Sequence, residues 1–319
     1  MPIGLRAEYS IADLDRVGGL PDAAVDRLLL GAVDLHTHPS PSAIPRRMDI
    51  LEVAGAAAAA GYRAIAVKSH HHSMVPEILA LADHGLSDIP VLVVGGIALN
   101  HTVGGLNPYA VEHALRMGGR IVWFPTLDSG THRCFHETAH FPATGFALRS
   151  GPPLTVLDAS GGVTAEVGEI LDLIAAEDAI LNTGHLGAAE IDVLLPAAKA
   201  AGVRRMMVSH PDFIVGGAPD QARGWTELGA YIEFCVGLYD RADGLRDTDL
   251  TVADLCRFLD ALPADRVVLS SDTGPLRSPQ PVHTVRRVLR GLLDLGRPAE
   301  DLAAGVAANP ARLLLGPGA

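Results

Sequence analysis

Short runs rich in Val, Ile and Ala alternate along this chain with longer Ala- and Leu-rich segments of helical period. The runs at 32–36, 63–68, 91–99, 120–124, 179–185, 204–210, 230–235 and 266–272 read as largely continuous apolar stretches, with polar residues mainly at their ends. Strands covered on both faces have that appearance. Helical patterns lie between or after them, at 49–60, 76–84, 108–117, 164–176, 188–201, 224–229 (the weakest), 252–262 and 281–295. Eight βα units over about 250 residues predict an α/β protein folded as a (β/α)8 TIM barrel. Nothing resembling a low-complexity linker divides the chain, so residues 1–319 are read as one barrel domain. Residues 1–30 form a helical N-terminal extension in this reading. The tail at 301–315 closes the barrel with one or two short helices, and Asn309-Pro310 marks a helix start.

One connection breaks the rhythm. Residues 126–163 are rich in Gly, Pro and His and show no clear periodicity. Structureless connections beyond about 12–15 residues are usually functional or disordered. This one follows the fourth strand at the end of the barrel where such folds place their chemistry, so a lid or substrate loop is expected, with a plain surface excursion as the competing reading.

Composition narrows the function classes. At 48% apolar residues the chain has ample material for a core, and the formal net charge of −12 disfavours a nucleic acid partner. The N-terminus lacks a basic segment followed by an apolar run. No apolar stretch approaches the about 20 residues that span a bilayer, so neither a signal peptide nor a membrane partner is expected. Three widely spaced cysteines suit a reducing cytoplasm and buried thiols, and Cys134, in the His-rich loop, is the one singled out. Of 25 basic residues only two are lysines, Lys68 and Lys199, which leaves 23 arginines.

The candidate chemistry stands at the strand ends. The first strand runs into Asp34-Leu35-His36-Thr37-His38, and residues two apart on an extended chain share a face, so His36 and His38 can address one metal ion. The second strand ends in Lys68-Ser69-His70-His71-His72, the fifth in Thr183-Gly184-His185, the sixth in Val208-Ser209-His210 and the eighth in Ser270-Ser271-Asp272-Thr273. A barrel gathers all of these ends into one cup. His36, His38, His185, His210 and Asp272 therefore converge on a shared metal site, although any one of them alone is a weak signal.

The order of HxH, then His, His and Asp at strands one, five, six and eight resembles the amidohydrolase superfamily, over His36 through Asp272. The closing Asn309-Pro310-Ala311-Arg312-Leu313-Leu314 is similar to that superfamily's C-terminal helix. The resemblance implies a metal-dependent hydrolase and names no substrate. The chain departs from many two-metal members at the fourth strand, which ends in Trp123-Phe124-Pro125-Thr126 without the bridging lysine or glutamate. Lys68 is the available substitute, as a carboxylated lysine bridging two ions. Its competing roles are pairing with a carboxylate, binding an anionic substrate, or a Schiff base. With two ions, His36, His38 and Asp272 hold one and His185 and His210 the other. With one ion, His36, His38, His185 and Asp272 hold it, and His210 orients water or substrate. Zinc is the default metal, with manganese, iron or cobalt as alternatives. Asp272 is the catalytic acid–base, taking a proton from water and passing it to the leaving group.

His70, His72, His101, Arg133 and His136 are candidate substrate contacts, each with a solvated surface role as the competing reading. His132 and His140 share the long loop. Glu233 is a barrel-interior or supporting candidate, and Lys199 an ordinary helix-surface charge. The leading function is hydrolysis of an amide, cyclic amide or lactone in a small molecule. The alternatives are a PHP-like phosphoesterase, a nonoxidative decarboxylase using one metal, and a metal-binding barrel without activity. Assembly into a homo-oligomer is expected by analogy alone.

Overall fold

Eight short parallel strands form the centre of the protein: β1 (Val33–Thr37), β2 (Ala64–Val67), β3 (Leu92–Val94 and Gly96–Ala98), β4 (Ile121–Trp123), β5 (Ile180–Asn182), β6 (Arg205–Ser209), β7 (Tyr231–Cys235) and β8 (Val267–Ser270). The structure, a computed structural model, describes residues 11–137, 139, 141–240 and 248–316. Residues 1–10 of the N-terminal extension and His140 of the long loop lie outside the described residues. Each strand pairs with its neighbour in chain order. β3 is interrupted at Gly95, its first half pairing with β2 and its second with β4. Gly96 is required there, because a Cβ would stand 1.8 Å from the Ile121 carbonyl oxygen of the neighbouring strand.

The first and last strands meet beyond their regular pairing. The Asp272 amide donates to the His36 carbonyl at 2.8 Å, and the His38 amide donates to the Thr273 carbonyl at 2.9 Å. These bonds close the eight strands into the expected (β/α)8 barrel.

Most strand residues are buried on both faces, Leu92 at the start of β3 being exposed, and the two faces pack differently. Inside the barrel, Ala64, Ala66 and Ala98 of β2 and β3 leave room for Trp123, Met207 and Tyr231 from β4, β6 and β7. Outside, the strands pack on the helices. Among these, Ile50–Ala59, Ala165–Ala176 and Ala188–Ala200 bury apolar faces against the sheet, and Asp49 and Thr164 cap the first two through their side chains. Helices Ile11–Gly18 and Ala23–Leu29 form the described part of the extension. Asp15 in the first accepts hydrogen bonds from the Gln280 amide and the His283 ring, which ties it to helix Pro281–Asp294.

The C-terminal segment bears out the helix start at Asn309-Pro310 and adds one detail. Helix Ala299–Ala303 runs through a π-helical turn, Ala304–Ala308, directly into Asn309–Leu315. Pro310 has no amide hydrogen to give the preceding turn, and the wider turn accommodates that loss without a break. Asn309 points inward, and its Nδ2 donates to the carbonyls of Ala264 and Val267 at 2.8 Å each. Ala311, Leu313 and Leu314 then join the barrel-interior cluster, and Arg205 at the start of β6 binds the Leu313 and Leu314 carbonyls, so this helix plugs the N-terminal end of the barrel. Asn309→Ala removes two buried hydrogen bonds, although the Ala264 carbonyl keeps the Val267 amide. The substitution is expected to cost about 2 kcal/mol of unfolding free energy, read as a lowered urea midpoint at unchanged slope.

Candidate metal centre

At the opposite, C-terminal end, the barrel ends gather buried imidazoles. β1 carries a register shift between Asp34 and Thr37. Val33 and Leu35 pack inside the barrel below this irregularity, whereas His36 and His38 both reach the site above it, as a bulge that re-aims side chains permits. The Asp34 carboxylate anchors the bulge, accepting from the amides of His36 at 3.0 Å and Ser271 at 3.1 Å. Burial pushes that carboxyl up to about 6 despite these donors.

His36 Nδ1 faces Glu233 Oε2 at 3.2 Å, and Glu233 also accepts from Ser209 Oγ. Burial alone would raise the Glu233 carboxyl, but His36 and these hydrogen bonds outweigh it and hold the group below the ordinary carboxylate range. With its Nδ1–H donated to a carboxylate, His36 presents the Nε2 lone pair to the site. That Nε2 lies 3.5 Å from Asp272 Oδ1, and His38 Nε2 lies 3.1 Å from the same oxygen. His38 Nδ1 is oriented by the Lys68 carbonyl at 3.0 Å.

β5 and β6 bring the other two predicted histidines. His185 follows Gly184, whose φ of 61° and whose approach to the Phe124 carbonyl (2.1 Å from a would-be Cβ) admit only glycine. His210 and Asp272 themselves adopt positive φ, 53° and 46°, in the left-handed region that costs non-glycine residues energy and recurs at functional sites. The ring of His210 lies 5.5 Å from that of His36 and 5.0 Å from that of His185. Lys68, 1% exposed, places Nζ 3.0 Å from His36 Nε2 and 5.4 Å from the centre of the Trp123 ring. Burial outweighs the attraction of Asp272 and Glu233 and brings its ammonium down to about 8.

The donor set fits a divalent cation. Burial holds His38 and His185 well below the ordinary imidazole range and His210 at about 3, so these rings are neutral, the form that ligates. His210 Nδ1 is buried and makes no hydrogen bond among the described residues. One ligand atom from each of His36, His210, Cys235 and Asp272 can be chosen so that all lie within 4.8 Å of one another.

These groups open into a cleft enclosing about 660 Å³ of empty space, part of it open to solvent. His38, His70, His185, His210 and Asp272 line its polar side, and Ile44, Phe141, Phe213 and Leu238 an apolar side. The long connection contributes to this wall. Ser129 caps a helix at Gly130–His136, and from it His132 Nδ1 meets His185 Nδ1 at 2.9 Å, while His136 lines the cleft.

Of the candidate substrate contacts, His70 and His136 border the cleft. His70 stacks on His38 with ring centres 4.8 Å apart. Three others are placed elsewhere. His72 is held by Ser69 Oγ and Glu77, His101 by the Pro152 carbonyl, and Arg133 by Asp128 and the Gly151 carbonyl. None of the three lines the cleft. The cysteine singled out from sequence is also displaced: Cys134 is exposed on the loop helix, whereas Cys235 is buried beside His36 and His210. Sequence reading missed His132, Cys235 and Arg46 as neighbours of the site. For Cys235 a signal existed, since Tyr231, Glu233 and Cys235 alternate along one face of β7. For Arg46, which follows β1 by nine residues in an irregular segment and lines the cleft, there was none.

A sequence model described as "Family of unknown function (DUF6282)" matches residues 31–233, which run from just before β1 into β7. The chain belongs to the DUF6282 family. No curated protein matches this DUF6282 chain. Solved structures with the same fold include the probable dipeptidase PvdM from Pseudomonas aeruginosa, with a TM-score of 0.59 at 12% identity over 92% of this chain and 97% of that one. An amidohydrolase from the same organism has a TM-score of 0.57 at 12% identity over 96% and 98%. The organophosphorus hydrolase from Deinococcus radiodurans has a TM-score of 0.55 at 16% identity over 89% and 92%. The barrel of this DUF6282 member is thus the fold of amidohydrolase-type structures.

Glu233→Gln keeps the shape but removes the charge that orients His36. It is expected to weaken divalent-metal affinity about 10–100-fold, measured by competition with a chromophoric chelator.

Proposed function

We propose that this protein is a metal-dependent hydrolase that cleaves an amide, cyclic amide or lactone bond of a small molecule. The observation carrying this reading is the convergence of the buried His38, His185, His210 and Asp272 on one cleft, with the buried His36 ring beside them. The fold shared with structures described as an amidohydrolase, a dipeptidase and an organophosphorus hydrolase supports it.

His36, His38, His185, His210 and Asp272 would hold one or two divalent ions, with zinc as the default for this donor set. A divalent ion bound there lowers the pKa of water and polarises a carbonyl. Asp272 projects into the cleft with an oxygen beside His36 and His38, so it can accept a proton from water and deliver it to the departing nitrogen or oxygen. The apolar wall at Phe141, Phe213 and Leu238 would hold the substrate's carbon skeleton and exclude water. Lys68 is positioned to serve as a carboxylated bridge. The ammonium would first give up one proton to free the Nζ lone pair, which would attack carbon dioxide, forming an N–C bond as one C=O π bond breaks. A second proton would then leave, so that loss of two protons converts a cation beside His36 into an anion. We place the enzyme in the cytoplasm, acting on a small molecule and without a nucleic acid or membrane partner. No described helix is long and apolar enough to cross a membrane.

Activity is expected on one member of a panel of amides, cyclic amides, lactones, phosphotriesters and aromatic carboxylic acids. It should be lost with a chelator and restored by zinc, manganese or cobalt. Turnover confined to the phosphotriesters, or loss of carbon dioxide from the acids, would replace the carbonyl-hydrolysis reading. A purified protein that takes up none of these metals would remove it. Lys68→Met is expected to abolish a mass increment of one carbon dioxide on the peptide carrying residue 68 under native, bicarbonate-containing conditions. Absence of the increment from the unaltered protein would return Lys68 to a charge-pairing or substrate-binding role.

A further inference from the structure

We propose that Cys235 is itself a metal ligand, its thiolate joining His36, His210 and Asp272 around one soft divalent ion. The inference rests on the metal-dependent reading above and deepens it by naming a donor of a different chemical kind.

Cys235 ends β7 with 0% exposure, on the strand face that carries Glu233 two residues earlier. Its Sγ lies 3.9 Å from His210 Nε2, and 3.5 Å from His36 Nδ1, the ring nitrogen that faces Glu233 and not the one that offers its lone pair to the site. Donors at about 2.0–2.3 Å from one zinc ion are at most about 4.6 Å apart, and about 3.3–3.8 Å apart when tetrahedral. The His36, His210, Cys235 and Asp272 donors all lie within 4.8 Å of one another, slightly beyond that limit, so a small side-chain adjustment would gather them around one ion. They come from β1, β6, β7 and β8, so the barrel's closure is what assembles them.

A buried cysteine is ordinarily a small apolar filler. Here the sulfur instead faces two imidazoles, at the end of a strand whose neighbours present ligands. Charge gives a second argument. Asp272 supplies one negative charge, and with Lys68 not carboxylated a thiolate supplies a second toward a divalent ion. On binding, the sulfur–hydrogen bond breaks, a sulfur–metal bond forms from the same electron pair, and one proton leaves to solvent. A sulfur donor also shifts the preference of the site toward zinc and cobalt and away from manganese and magnesium.

The test uses the full-length protein loaded with cobalt(II) or zinc. Cobalt loading should produce visible ligand-field bands together with a near-ultraviolet sulfur-to-cobalt charge-transfer band. Cys235→Ser should lose only the charge-transfer band and should weaken zinc binding by about tenfold or more. X-ray absorption of the zinc-loaded, unaltered protein should contain one sulfur at about 2.3 Å, a readout that does not depend on the variant folding. Cobalt bound without the charge-transfer band, zinc bound without sulfur, or a band that survives Cys235→Ser overturns the assignment while leaving the hydrolase reading standing. Failure to bind either metal overturns both.

Discussion

The site depends on the seam between the first and last strands of the barrel. Asp272 and the His36–His38 pair are separated by most of the chain, and no local preference brings them together. The Asp272 amide donates to the His36 carbonyl, the His38 amide donates to the Thr273 carbonyl, and the Asp34 carboxylate bridges the amides of His36 and Ser271. The backbone bonds that close the barrel are therefore the bonds that set the spacing of the presumptive ligands. The price of that arrangement is the buried Asp34 carboxyl and the positive φ of Asp272, each tolerated because the surrounding structure over-determines it.

Burial then sets the chemistry of the cup. Imidazoles removed from water lose their protons, which turns would-be cations into ligands. Glu233 stays ionised in the same surroundings because His36, Ser209 and Asn182 direct hydrogen-bonding groups at it. Its negative charge steadies His36 from behind, in the carboxylate–histidine arrangement common around metals. Lys68 and Asp272 complete the inner layer with opposite charges. Outside this layer lie His70, His132 and His136, packed with Phe141. The long connection thus forms a wall of the cleft. Its irregular parts are held by Glu190, which accepts from Thr155 and Val156, and by the pairing of Ser129 with Leu154.

The eight strands were legible in the sequence because most of their residues are buried on both faces, which writes short, mostly apolar runs. The helix at Pro219–Glu227 was legible only in its second half, since Pro219, Asp220, Gln221 and Arg223 carry no apolar stripe. The loop helix at Gly130–His136 was invisible for the same reason: its inward face is made of histidine, which periodicity does not count as apolar. The ligand candidates were legible as polar residues terminating apolar runs. Arg133 and His101 resembled substrate contacts on position alone, and only the folded loop showed their hydrogen bonds turned toward its own backbone and Asp128.

By itself, then, the sequence determined the barrel, the strand ends that carry chemistry and the singular placement of Lys68, because strand burial and strand termination are local patterns. Tertiary structure alone decided which side chains share the cup. Glu233, Cys235 and His132 lie 197, 199 and 96 residues beyond His36 in the chain. Their proximity follows from how the strands close and how the loop helix docks. The sign and strength of each group's charge were likewise undecided until burial was known, since the same imidazole is a cation in water and a neutral ligand inside the barrel.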